Sequence, residues 1–151
     1  MKLLHLLFAF LFATVSVFAK DGNSPEAVAS PLPASHALWN QLLQTHVSAA
    51  GKVNYKGFQA DRVKLDRYLN ILATQPPTDD WSRADKMSFW INAYNAFTVK
   101  LILDNYPLKS IRDIEKPWDT SFITIGGKSY TLNDIEHKIL RPQFKDPRIH
   151  F

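Results

Sequence analysis

The chain has no cysteine in its 151 residues. This excludes disulfides, a lipid anchor on cysteine and a thiol nucleophile within this stretch. HExxH, paired metal-ligand spacing, a glycine-rich phosphate loop and GxSxG are also missing, so the residues assign no metal and no cofactor. A dense Lys/Arg run with interleaved aromatics is lacking and the formal charge is only +4, so nucleic-acid binding is not expected. There is no internal repeat and no low-complexity tract. The first apolar run, Leu3 to Val17, is shorter than the roughly 20 residues a spanning helix needs.

What is there begins with an export pattern. Lys2 supplies the positive start, Leu3 to Val17 are nearly all apolar, and Val17-Phe18-Ala19 offers a cleavage site before Lys20. The competing reading is an uncleaved anchor. The shortness of the run favours a signal peptide over residues 1–19, a periplasmic or secreted product, and no stable membrane span after cleavage. Cleavage removes one Lys and no acid, so the charge falls by one. Residues 20–34, KDGNSPEAVASPLPA, read as a flexible linker, and the domain as residues 35–151. Without disulfides, folding must rest on one hydrophobic core, for which the remaining length suffices.

That core is organised around Trp81 to Pro107. From Met87 to Val99 there is no charge, and apolar side chains occur almost all round a helical period, the pattern of a helix surrounded by protein. Ser82 and Asp85 predict a capping-box start, and Asn105-Tyr106-Pro107 a stop. A first helix is expected from Ser35, with Leu38, Trp39, Leu42, Leu43 and His46 on helical spacing, closing near Gly51. An extended piece, Val53–Tyr55, precedes an amphipathic helix over Asp61–Thr74 with Leu65, Tyr68, Leu69 and Leu72 inward, ended by Pro76-Pro77. Ser110–Ile114 reads as one helical turn. Phe122–Ile125, Gly126-Gly127 and Lys128–Thr131 read as a β-hairpin. Thr131 with Asp134 opens a helix to about Leu140, which Arg141-Pro142 should close. Arg148–Phe151 alternate as the start of a strand. The fold class is α+β and mainly helical: a long buried central helix, amphipathic helices around it, one hairpin and a C-terminal strand start.

Few residues offer chemistry. Asn92 and Asn95, with Ser88, fall in one sector of the central helix. They either tie down neighbouring backbone, such as Val53–Tyr55 or the Pro107 loop, or line a cleft and orient a ligand or a catalytic group. Glu136 projects between Leu132 and Leu140 on an apolar face, where a carboxylate needs a partner. It is either half of a structural ion pair or an acid, base or orienting group. His137 is expected at the edge of that face. His150 alternates with Ile149 and Phe151 and faces either solvent or a groove. His46 reads as a favourable cation near a helix C-terminus.

Lys86–Ala96 (KMSFWINAYNA), Ile135–Arg141 (IEHKILR) and Asp146–Phe151 (DPRIHF) resemble the signature segments of the domain of unknown function 547 family. The likeness extends from roughly Trp39 to the C-terminus. It implies a family whose activity is not established and whose bacterial members are often exported. It also implies that similar members continue past RIHF with a short cysteine-containing stretch and further helices. The chain is therefore expected to be the N-terminal portion of such a domain, truncated.

Two functions follow as expectations, and whether the chain is an enzyme stays open. One is a non-catalytic binding or scaffolding module of the cell envelope, with an unknown envelope partner or small substrate and with Trp81, Trp118 and Tyr130 as contact aromatics. The other is a fragment of a thiol-dependent hydrolase or transferase, with cysteines beyond Phe151, His150 or His137 as base, and Glu136 or an asparagine orienting it.

Overall fold

An uncharged run with apolar residues on every side is stable only where protein covers it all round. The computed structural model describes residues 32–149 and meets that demand. The expected signal peptide, residues 20–31 of the expected linker, His150 and Phe151 lie outside the described residues. Three helices come first: α1 (Ala37–His46), α2 (Tyr55–Ala60) and α3 (Arg62–Thr74). The long helix α4 (Arg83–Asp104) follows and buries Met87, Phe89, Trp90, Ala93, every residue from Asn95 to Val99, and Leu101 to Leu103. Ser82 caps it: its hydroxyl accepts the Asp85 N–H at 3.1 Å and donates to the Asp85 carboxylate at 2.6 Å.

The helices around α4 each bury one face. α1 contributes Trp39, Leu42 and His46; α3 contributes Leu65, Tyr68, Leu69 and Leu72. Trp39 stacks on Tyr68 with ring centres 5.6 Å apart, joining the two faces. The N-cap of α1 is His36 rather than Ser35, and His36 Nδ1 lies 2.7 Å from the Tyr68 hydroxyl. The chain leaves α1 through a turn at Gly51, where φ is +74°, and one antiparallel bridge joins Val47 to Val53. The extended piece ends there. Asn54 Oδ1 accepts the Gly57 N–H at 3.0 Å and starts α2, so Tyr55 is helical rather than extended.

After α4 and a 3₁₀ turn at Ile111–Asp113 capped by Ser110, β1 (Ile123–Ile125) pairs antiparallel with β2 (Lys128–Tyr130), Thr124 opposite Ser129. Gly126 and Gly127 have φ of +58° and +74°, the two positive values this turn needs. The Gly126 N–H donates to the Ala73 carbonyl at 2.8 Å and docks the hairpin on the end of α3.

The C-terminal region departs from the sequence expectation twice. Thr131 and Asp134 do form the reciprocal cap, at 2.9 Å in each direction. The helix they open then widens into a π-helix over Asp134–Leu140 and continues as α5 (Arg141–Phe144). Pro142 therefore does not stop it: the wide turn resets the ladder, and proline falls in the first turn of α5, where a missing N–H costs little. The second departure is the expected strand start. Pro147–Ile149 is a 3₁₀ turn, with the Ile149 N–H on the Asp146 carbonyl at 3.0 Å. Pro147 has fixed φ and no N–H to give a ladder.

Candidate functional site

The π segment packs against α4, and it decides what Glu136 meets. Its backbone closes from the Arg141 N–H to the Glu136 carbonyl, which sets residues five apart one above the other. Arg141 thereby turns its guanidinium onto the Glu136 carboxylate, with Nε at 3.0 Å and Nη2 at 2.6 Å from Oε1. From α4, the Tyr94 hydroxyl donates to Oε2 across a long 3.5 Å. Glu136 is thus engaged from both sides and is largely covered, with 20% of its side chain exposed. Neither Arg141 nor Tyr94 stands out in the sequence, because five-residue spacing is not a neighbour relation on an α-helix.

Burial pushes the Tyr94 hydroxyl up to about 12, and the Glu136 charge and hydrogen bond add to the rise; Trp118 and Arg141 oppose it. The folded state then holds this proton beyond the ordinary tyrosine value of 10.0, so the stabilisation it contributes is lost as pH rises from there towards 12. Tyr55 is also pushed to about 12 by burial, so the ultraviolet tyrosinate signal must be read as a difference against Tyr94→Phe. The expected result is late ionisation of Tyr94, moved earlier by Glu136→Gln. Ionisation in the ordinary range in the parent protein contradicts the clamp.

The remaining expected site residues are not gathered here. His137 lies beside Glu136 but is 52% exposed, and its Nε2 is 3.9 Å from Oε1, outside hydrogen-bonding range. His150 lies outside the described residues. Asn92 and Asn95 occupy another side of α4: at 3.6 residues per turn they project about 160° and about 100° away from Tyr94. The structure therefore does not bring the asparagines and Glu136 to one wall. Asn95 is 4% exposed, Asn92 and Ser88 are half-buried, and among the described residues neither asparagine side chain has a hydrogen-bond partner. The ties expected to Val53–Tyr55 or the Pro107 loop are not made.

His46 also differs from its expectation. It is buried, and its Nε2 pairs with Asp61 Oδ2 at 2.7 Å, clasping the end of α1 to the start of α3. Lys64 and His46 hold the Asp61 carboxyl below its ordinary value. The three expected contact aromatics are committed to packing: Trp81 is buried edge-on to Phe89, Tyr130 lies edge-on to Trp90, and Trp118 packs on the core near Tyr94. Among the described residues no three His, Asp or Glu side chains converge as metal ligands, and no helix is long and apolar enough to cross a membrane.

Residues 78–151 match the family model described as Protein of unknown function, DUF547. The chain belongs to the DUF547 family. No curated protein and no solved structure matches it. The DUF547 match starts just before the Ser82 cap and takes in Asn92, Tyr94, Asn95, Glu136 and Arg141, while α1, α2, α3 and the His46–Asp61 clasp precede it.

Proposed function

We propose that this DUF547 protein is exported to the periplasm or beyond and acts there as a non-catalytic binding module of the cell envelope. One contrast carries the reading. Glu136, a largely covered carboxylate beside α4, is taken up by Arg141 and Tyr94, and among the described residues no imidazole lies in hydrogen-bonding range of it. The neutral side chains of Asn92 and Asn95, by contrast, have no hydrogen-bond partner among the described residues. A general base must reach the proton it takes, whereas a binding site needs a few unspent polar groups in apolar surroundings. The Met1–Ala19 pattern supports export.

The full chain, expressed with its own N-terminus, should appear in the osmotic-shock or culture fraction with Lys20 as its first residue. It should show no turnover of chromogenic ester, amide and glycoside substrates above buffer. Turnover abolished by Glu136→Gln or His137→Ala overturns the non-catalytic reading; retention of residues 1–19 on a cytosolic product overturns export.

A further inference from the structure

On the side of α3 turned away from α4, a groove of about 590 Å³ lies open beside α1, lined by Val63, Asp66, Arg67, Asn70 and Ile71 of α3 and Leu38 of α1. Val63 is 67% exposed there. Asp66 is paired with Arg62 at 2.8 Å, whereas the Arg67 side chain has no partner among the described residues. The groove therefore offers three apolar side chains and one unspent cation, and it suits an occupant that carries an apolar side chain close to a carboxylate. We propose that residues 24–29 of the chain's own N-terminal arm dock in this groove, with Val28 against Leu38 and Ile71 and the Glu26 carboxylate on Arg67.

Reach, register and composition select the arm. His46 meets Asp61 and His36 meets Tyr68, so α1 runs antiparallel to α3 and the chain enters beside the C-terminal half of α3. The described chain begins at Leu32, 87% exposed, and Ala34 is already buried against the core just before α1. Four residues of extended chain, roughly 13 Å, separate Leu32 from Val28. In an extended chain residues two apart share one side, about 6.6–6.8 Å from each other. Arg67 and Ile71 lie one turn apart, roughly 6 Å along α3. Val28 and Glu26 thus fall in step with Ile71 and Arg67 as the arm follows α3 towards Val63. Within residues 20–31, Val28 is the one large apolar side chain, Glu26 is the acid nearest to it, and Pro25 and Pro31 favour extended backbone before them. Tethering keeps the segment near its groove at an effective concentration of order millimolar, so a shallow contact suffices.

The test is disulfide trapping in the full chain, where the lack of native cysteine makes any bond unambiguous. Val28→Cys is paired with Ile71→Cys, or with Asn70→Cys on the exposed lip if that variant does not fold. The control pairs Val28→Cys with Asn40→Cys, exposed on the opposite face of α1 from Leu38 and as near along the chain. Under mild oxidation the groove pair should close within one chain roughly tenfold faster than the control. Glu26→Lys or Arg67→Glu alone should slow that closure several-fold, and the two together should restore it. Equal rates for the groove and control pairs overturn the docking. A bond formed between two chains overturns it in favour of a second copy as the occupant, and a charge swap that fails to restore closure overturns the Glu26–Arg67 register.

Discussion

Gly57→Ala is expected to lower the stability of the domain by about 1–3 kcal/mol, although alanine is the better helix former by about 1 kcal/mol. A Cβ at this position would stand 2.4 Å from His46 Nδ1, 2.9 Å from its Cε1 and 2.8 Å from Asn54 Nδ2. The imidazole has nowhere to go. It is 8% exposed, its other nitrogen is 2.7 Å from Asp61, and its ring lies 5.0 Å from that of Phe58. Moving it sacrifices the bond to the Asp61 carboxylate, and forcing the methyl in adds overpacking strain of about 1–3 kcal/mol. Moving Asn54 instead releases the cap of α2. Urea unfolding of the single variants and of Gly57→Ala with His46→Ala provides the check. In the His46→Ala background the glycine substitution should cost clearly less, because the colliding ring is gone and only the Asn54 contact remains. Equal costs in both backgrounds would show that the clasp is not what the glycine protects.

This arrangement illustrates what the sequence could and could not reveal. α4 was legible because charge is absent along a whole run and Ser82 and Asp85 mark its start. The hairpin was legible because two adjacent glycines admit the positive φ pair that a tight turn needs. α2 was not, because six residues are too few to display a period, and Asn54 looks the same in an extended piece as at a cap. His46 sits on the helical spacing read for it, but its partner Asp61 lies beyond a turn and another helix, where no wheel can place it. The sector holding Asn92 and Asn95 was legible, since a 3.6-residue period holds throughout α4; the want of a partner for them was not. Glu136 was expected to need a partner, and the partner's identity was hidden because the helix is not α there. Leu132, Ile135 and Leu140 remain buried through the wide segment, so the apolar pattern carries no sign of the added width.

That width makes Glu136→Ala the second large effect: a loss of about 1–3 kcal/mol, as two polar partners on separate elements are left without their acceptor. The figure belongs towards the lower end because 35% of the Arg141 side chain is exposed, where water can replace part of the lost pairing. Arg141→Ala should cost less, since it leaves the Tyr94 hydroxyl on Oε2. The double variant should cost less than the sum of the two, by a coupling of about 1 kcal/mol. A coupling near zero would mean that the five-residue spacing sets the two groups together without energetic consequence. Amide exchange across Asp134–Leu140 gives a second readout, because π-helical bonds held by a side-chain clamp should open faster once it is gone.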